Sequence, residues 1–168
     1  MAISTANLSD LYSGDLKYLD SVFKSYGKKS KFSGSIVTIR CFEDFCSIQD
    51  MISQSGKNRV LLIDGGASEN SSLFDEKLAL LAIKNNWEGV IINGTIRNSR
   101  KIHDLAIGVK ALGESVRRSP CSPGNGETNI DIEMAGTLIS PGDIVIVDED
   151  GIVVFEKNKT NFKIKPKF

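Results

Sequence analysis

The chain has 168 residues, of which 40% are hydrophobic and 25% are charged. This length fits one domain with a sizeable buried core, and the composition is that of an ordinary globular protein. The 21 Lys and Arg residues balance the 21 Asp and Glu residues, so no net positive field favours direct binding of nucleic acid or of an anionic membrane.

The cysteines and the start of the chain predict a reduced protein of the cytoplasm. Cys41, Cys46 and Cys121 are an odd number, form no C-x-x-C pair and share the chain with one histidine. A disulfide framework or a zinc site is therefore not expected. The first residues lack the basic-then-apolar pattern of a signal peptide, and no apolar run is long enough to span a membrane.

The first part of the chain predicts two short helices on either side of one strand. Ser4 or Thr5 is suited to cap the first helix, and Gly14 to end it. The basic residues 27–31 are interpreted as an exposed turn in preference to a phosphate-binding loop. The predicted helices are residues 4–12 and 45–53, and the predicted strand is residues 35–41.

The middle of the chain predicts a strand–helix–strand unit with a binding crevice. Residues 60–66 and 89–94 are apolar strands ending at glycine, and residues 73–86 have helical periodicity. The two strands should be parallel, and ligands bind beyond the carboxyl ends of such strands. Gly65-Gly66 and residues 94–98 are therefore predicted to share one crevice, in which Arg97 is the positive charge.

The second half is richer in strands, which predicts a mixed α/β domain and not a plain doubly wound sheet. Asp150-Gly151 gives the strongest hairpin signal of the chain. Residues 1–156 are interpreted as the domain and residues 157–168 as a Lys-rich tail. The other predicted elements are a helix at 99–105, strands at 107–112, 128–134, 144–148 and 152–155, a loop at 119–126 and a turn at 138–143.

Two interpretations of the crevice stay open on the residues alone. In one, backbone N–H groups of the glycines approach an anion and Arg97 clamps a carboxylate with both arms of its guanidinium. In the other, the glycines only end their strands and Arg97 pairs with Asp64 or Asp75.

A divalent metal site at the crevice is disfavoured. Asp64 and Asp75 or Glu76 could approach it, but the positions beside Arg97 are Asn98 and Lys101. A neutral amide and a cation are poor replacements for hard anionic ligands.

Two further sets of polar residues are predicted to have structural roles and not catalytic or metal-binding ones. His103 is predicted to be a helix-surface residue, since no nucleophile elbow accompanies it. Asp148 and Asp150 are predicted to form a turn, because the sequence lacks the longer ligand series of a calcium loop.

Four motifs stand in a fixed order along the chain: Asp64-Gly65-Gly66, Lys84-Asn85-Asn86-Trp87-Glu88-Gly89, Asn93-Gly94-Thr95-Ile96-Arg97 and Asp148-Glu149-Asp150-Gly151-Ile152-Val153. Each motif is weak alone, but their order and spacing together are specific, and the match extends over nearly the whole chain. Together they resemble the RraA family, the regulators of ribonuclease E activity, which is related to class II 4-hydroxy-4-methyl-2-oxoglutarate aldolases.

The resemblance implies a swivelling β/β/α domain, similar to phosphohistidine domains, assembled as a homotrimeric ring with clefts between subunits. In catalytic relatives, the Gly-Gly loop and an arginine hold a pyruvate-like carboxylate, and an Asp after the arginine binds magnesium or manganese. Here Gly65, Gly66 and Arg97 match, but Asn98 stands at the metal position and Lys101 where a second acid is expected. The stretch where catalytic members often have a Gly followed by an acid is matched by Asp75, Glu76, Lys77 and Leu78, which would belong to the same anion pocket.

The resemblance therefore suggests a non-catalytic regulator that inhibits ribonuclease E by binding its protein scaffold region, with no cofactor. The alternative is an aldolase or oxaloacetate decarboxylase that uses Mg²⁺ or Mn²⁺ in a degenerate metal site. A third possibility is a protein that only binds a small carboxylate such as pyruvate or oxaloacetate. The expected partners are the ribonuclease E scaffold and further copies of this chain, and not nucleic acid or a membrane.

Overall fold

The computed structural model describes residues 3–19 and 22–159, in which short helices alternate with strands. The helices are α1 (Thr5–Tyr12), α2 (Cys46–Ile52), α3 (Glu76–Lys84) and α4 (Ser99–His103), with a 3-10 turn at Lys157–Lys159. The strands are β1 (Leu16–Leu19), β2 (Lys24–Tyr26), β3 (Phe32–Arg40), β4 (Arg59–Asp64), β5 (Ser72–Phe74), β6 (Gly89–Ile96), β7 (Gly108–Glu114), β8 (Glu127–Thr128), β9 (Ile132–Met134), β10 (Thr137–Ile139), β11 (Ile144–Val147) and β12 (Ile152–Phe155). Most of the predicted Lys-rich tail, residues 160–168, lies outside the described residues.

A mixed sheet with a parallel centre organises the chain. Its strand order is β1-β12-β11-β3-β4-β6-β7-β2, with β5 added to β6 and β8 to β3. Strands β3, β4, β6 and β7 pair in parallel, whereas β11, β12, β1 and β2 pair antiparallel. The predicted parallel pairing across β4, α3 and β6 is therefore confirmed.

The sheet separates two apolar cores. Because side chains alternate along a strand, Leu61 and Ile63 of β4 pack on one side, and Val60 and Leu62 pack on the other. The first core joins the sheet to α2, α3 and α4, and the second joins it to the β9–β10 hairpin. This layering of helices, sheet and hairpin confirms the predicted β/β/α fold class.

The start of the predicted helix at residues 73–86 is wrong. Residues 72–74 form β5 beside β6, and α3 begins only at Glu76. The side chains of Leu73 and Phe74 are 2% and 1% exposed, because they complete the sheet and do not form one face of a helix. The strand predicted to end at Gly94 is also too short, since β6 continues to Ile96.

Two predictions in the second half also need correction. The strand predicted at residues 128–134 is broken after β8, because Asn129 adopts a left-handed conformation with φ of 55°. The turn predicted at residues 138–143 begins with β10, which pairs with β9. The β11–β12 hairpin and the capping of α1 by Ser4 are confirmed.

The prediction of three reduced cysteines is wrong for two of them. Cys46, the first residue of α2, forms a disulfide with Cys121 across 75 residues of sequence, at a Cα–Cα distance of 5.0 Å. Cys41 is buried, and burial raises the pKa of its thiol to about 12, with Asp44 and Asp64 adding to the effect. No helix in the described ranges is long and apolar enough to cross a membrane.

We expect Gly108→Ala to destabilise the fold by about 1–3 kcal/mol, because the Phe32 ring fills the space over this glycine. A Cβ on Gly108 would lie 2.0 Å from Cδ1 of Phe32, whereas a Cβ on Gly113 of the same strand would meet nothing within 4 Å. Gly113→Ala is therefore the matched control. Urea unfolding of both variants measures the difference, and equal stabilities would contradict this account of the packing.

Candidate functional site

The candidate site is built around the residues that follow β5 and β6. Arg97 comes directly after β6, and its backbone N–H donates to the carbonyl oxygen of Phe74 at 3.0 Å. This hydrogen bond places Arg97 beside Asp75, the residue that lies between β5 and α3 and caps α3. The short strand that the sequence did not predict is therefore what aligns the two residues.

Asp75 is a buried carboxylate with two tasks. Its Oδ1 caps α3 by accepting hydrogen bonds from the backbone N–H groups of Lys77 and Leu78, at 3.1 and 3.2 Å. Its Oδ2 accepts a hydrogen bond from Nη2 of Arg118 and lies 3.6 Å from Nε of Arg97. Of the two partners proposed for Arg97, the structure therefore selects Asp75, and the amides of Lys77 and Leu78 are already used by the cap.

Arg118 is a member of the site that sequence reasoning missed. It lies in the loop after β7, and its guanidinium stacks over the ring of Phe45 at 4.4 Å from the centroid. Such stacking orients an arginine without consuming its hydrogen-bond donors. No local pattern marked Arg118, because its contacts are with residues 43 and 73 positions away.

Both carboxylate oxygens of Glu76 contact other side chains. The partners are Asn98 and Lys101, which stand at the positions where catalytic relatives are expected to have acids. Nδ2 of Asn98 donates to Oε2 of Glu76, and Nζ of Lys101 lies 3.6 Å from Oε1. The hydrogen bond from Asn98 is the main cause that lowers the pKa of Glu76, and Lys101 adds to it against the opposing effect of burial. Asn98 itself has φ of 55° and ψ of 38°, a left-handed conformation that Asn and Asp tolerate best.

These residues do not fit a divalent cation. A hard cation needs several oxygen ligands, and here Glu76 is shared between an amide donor and an ammonium group. Within residues 3–19 and 22–159, no three His, Cys, Asp or Glu side chains are grouped so that they could hold a metal ion. The chemistry of this donor set is that of an ion-pair network.

We expect Glu76→Gln to destabilise the fold at neutral pH and to have less effect in acid. Because the folded pKa of Glu76 is lowered, its contribution is fully present above the unfolded value of 4.5 and is lost as pH falls through the folded pKa. Urea unfolding of both proteins between pH 7 and about pH 3 measures this difference. A difference that does not change with pH would show that the charge of Glu76 is not involved.

Gly65 and Gly66 lie at the end of β4, against β6. The N–H of Gly65 donates to the carbonyl oxygen of Asn93 at 3.0 Å, and the N–H of Gly66 donates to Oδ1 of Asp64 at 3.1 Å. A Cβ on Gly65 would lie 2.3 Å from Cδ1 of Leu73, so close packing alone requires glycine at that position. Anion binding by this loop stays a prediction.

An open cleft of about 470 Å³ lies beside Arg97, lined by residues 97–100 and 114–116. The Arg97 side chain is 30% exposed. Its buried Nε has no hydrogen-bond partner among the described residues. This Nε is the atom that lies 3.6 Å from Oδ2 of Asp75, so it belongs to that ion pair. Only the remaining donors of the guanidinium can accept an anionic ligand in the cleft. The glycine loop is not part of the cleft lining.

The remaining candidates have structural roles. The His103 side chain is 71% exposed, as predicted for a helix-surface residue. Asp148 is buried and accepts hydrogen bonds from the N–H and hydroxyl of Thr5 and from the N–H of Asp150. Burial alone would raise the pKa of Asp148, but these hydrogen bonds outweigh it and lower the pKa. The turn interpretation of Asp148 is therefore confirmed.

Comparison with known proteins gives consistent matches over nearly the full chain. A family model described as RraA-like: Aldolase/RraA matches residues 5–154. A protein of Photobacterium profundum, provisionally named 4-hydroxy-4-methyl-2-oxoglutarate aldolase, is 42% identical over 156 residues, which cover 90% of this chain and 93% of the relative.

Solved structures match equally well in fold. One from Thermus thermophilis, described as the RNA-processing inhibitor RraA, has a TM-score of 0.90 at 31% identity and covers 97% of this chain and 98% of its own. Another, from Geobacillus kaustophilus, is described as an S-adenosylmethionine:2-dimethylmenaquinone methyltransferase. It has a TM-score of 0.90 at 34% identity, with coverage of 96% and 99%. These names describe different activities, so the shared fold does not select one of them.

Proposed function

This chain belongs to the RraA-like family, and we propose that it is a non-catalytic member that inhibits ribonuclease E by binding the protein scaffold region of that enzyme. It would thereby modulate RNA turnover in the cytoplasm, without a cofactor. The name of the structural neighbour from Thermus, an RNA-processing inhibitor, supports this proposal.

The observation that carries the proposal is the pairing of Glu76 with Asn98 and Lys101. Catalytic relatives are expected to have acids at the last two positions, which would gather negative charge for a metal ion. In this chain the Asn98 amide donates to Glu76 and the Lys101 ammonium group lies 3.6 Å from it, so Lys101 compensates the negative charge of Glu76 without a metal ion. A family member that cannot bind the metal would keep the fold of the family but lack lyase activity.

Exposed apolar residues near the site support a protein partner. The Val116 side chain is 93% exposed at the cleft beside Arg97, and Phe42 is 67% exposed next to Gly66. Exposed large apolar side chains at a cleft are typical of surfaces that another protein covers. We include in the proposal the homotrimeric ring that the resemblance implies. The net charge of zero favours a protein over RNA.

A lyase is the second candidate, and the provisional aldolase name of the Photobacterium relative favours it. Arg97 lines an open cleft large enough for a small oxo acid, and its side chain is 30% exposed. Under this proposal Arg97 would hold the carboxylate of pyruvate or oxaloacetate, and Mg²⁺ or Mn²⁺ would need ligands beyond the described cluster, such as carboxylates of a neighbouring subunit. The same cleft would serve a protein that only binds small carboxylates.

Two assays on the natural protein separate these functions. Calorimetry with a purified scaffold segment of ribonuclease E tests binding, and cleavage of a ribonuclease E substrate tests inhibition. Release of pyruvate from oxaloacetate, with Mn²⁺ and corrected for the reaction of free metal, tests lyase activity. We expect binding, inhibition and no lyase activity. Metal-dependent turnover by the natural protein would overturn the proposal.

A further inference from the structure

We propose that Arg118 is a positioning residue for Arg97: it binds the carboxylate of Asp75 and thereby keeps the guanidinium of Arg97 available to an anion in the cleft. This role rests on the anion cleft of the proposed function, because it concerns the donors of Arg97 that remain for a ligand.

The backbone around Arg118 is fixed on strand β5. The N–H of Ser72 donates to the carbonyl oxygen of Arg117 at 2.7 Å, and the N–H of Ser119 donates to that of Ser72 at 2.9 Å. Ser72 and Arg118 thereby form a parallel bridge. The buried hydroxyl groups of Ser71 and Ser119 lie 2.8 Å apart and add a further contact. Arg118 therefore extends from a segment that is joined to the sheet.

The side chain of Arg118 has two partners. Its guanidinium lies 4.4 Å from the centroid of the Phe45 ring, and its Nη2 donates to Oδ2 of Asp75 at 2.5 Å. A planar guanidinium can stack on a ring and donate a charge-assisted hydrogen bond at the same time. Because the Asp75 side chain is only 4% exposed, Arg118 supplies the hydrogen bond that this oxygen would otherwise lack.

Asp75 is held more closely by Arg118 than by Arg97. Its Oδ1 accepts the cap hydrogen bonds of α3, and its Oδ2 accepts the hydrogen bond from Arg118. Nε of Arg97 lies 3.6 Å from Oδ2, beyond hydrogen-bond range, and has no hydrogen-bond partner among the described residues. Two guanidinium groups that approach one oxygen repel each other, so the nearer one keeps Arg97 at the longer distance.

This arrangement leaves a net positive charge at the cleft. Two guanidinium groups share one carboxylate, and the exposed part of Arg97 lines the cleft. Without Arg118, Asp75 would attract Arg97 alone, and a closed ion pair would withdraw both charge and donors from a ligand. Arg118 is not among the cleft-lining residues, so it acts through Arg97.

Exchange of the Arg97 Nε–H proton with water, measured by NMR, tests this role without a ligand. The signal is assigned by its absence in Arg97→Lys. We expect exchange to become about tenfold slower in Arg118→Gln, because Nε–H then donates to Asp75. Arg117→Gln is the matched control, since it removes an exposed neighbouring charge and should exchange like the natural protein. Equal exchange in the natural protein and in Arg118→Gln would overturn the proposal.

Titration with pyruvate as the probe tests the consequence for anions. We expect Arg118→Gln to weaken the affinity about two- to fivefold, and Arg117→Gln to have a smaller effect. In the Asp75→Asn background the attraction on Arg97 is absent, so adding Arg118→Gln should change the affinity little. An equal loss in both backgrounds would show that Arg118 acts only as a distant charge, and would overturn the proposal.

Two further measurements keep the test decisive. Urea unfolding establishes that each variant is folded under the titration conditions. If Arg118→Gln does not fold, Arg118→Met keeps an unbranched stem over Phe45, removes the charge and should give the same results. If the natural protein does not bind pyruvate, the anion cleft of the proposed function fails, and proton exchange at Arg97 still decides whether Arg118 positions it.

Discussion

The variant Asn98→Asp/Lys101→Asp is expected to bind Mn²⁺ and to gain metal-dependent release of pyruvate from oxaloacetate. In the natural protein, Asn98 donates to Glu76 and Lys101 lies 3.6 Å from it. The two substitutions replace both favourable partners by carboxylates, which would raise the pKa of Glu76 through repulsion. Without metal, this variant should be less stable than the natural protein.

Manganese should reverse that loss of stability. Binding to the folded state alone stabilises by about 2.7 kcal/mol when the metal concentration is roughly 100-fold above the Kd. The left-handed backbone at position 98 does not oppose the change, since Asp tolerates this conformation nearly as well as Asn. A thermal shift with increasing Mn²⁺ therefore measures the site independently of turnover.

The control for turnover is the same double variant with Arg97→Ala added. It should keep the thermal shift with Mn²⁺ and lose pyruvate release, because the carboxylate of the substrate has no clamp. If the double variant shows no thermal shift, Asn98 and Lys101 are not what excludes the metal. The argument from their pairing with Glu76 would then be wrong.

The sequence predicted the elements whose signals are local. The apolar runs of β4 and β6, the hairpin at Asp150-Gly151 and the cap at Ser4 each depend on neighbouring residues, and all are confirmed. The start of α3 was misplaced although Asp75 carries a capping signal, because the apolar Leu73 and Phe74 also fit a helical stripe. Their burial in β5 depends on β6, which comes later in the chain.

The parts of the site that were missed are non-local. Arg118 and Phe45 meet only after the loop following β7 returns to α2, and the disulfide joins residues 75 positions apart. Counting cysteines could not reveal this pairing, because an odd total is compatible with one bond and one buried thiol. By contrast, the pairing of Arg97 with Asp75 was one of two partners that the sequence offered, and the fold chose between them.

Asp75→Ala should cause a loss of about 2–4 kcal/mol in the free energy of unfolding. The cap of α3 accounts for about 1 kcal/mol of this, since both Oδ1 hydrogen bonds are lost. The remainder comes from the two guanidinium groups left without their buried carboxylate. This second part is moderated because the Arg97 and Arg118 side chains are 30% and 33% exposed and gain water in return.

One further variant separates the contribution of the helix cap from that of the ion pairs, and another serves as a control. Asp75→Asn keeps a good capping residue and removes only the charge, so it should lose about 1–2 kcal/mol. Asp131→Ala removes an exposed carboxylate and should change stability by less than about 0.5 kcal/mol. Urea unfolding at pH 7 measures all three. If Asp75→Asn is as stable as the natural protein, the two arginines do not depend on the charge of Asp75.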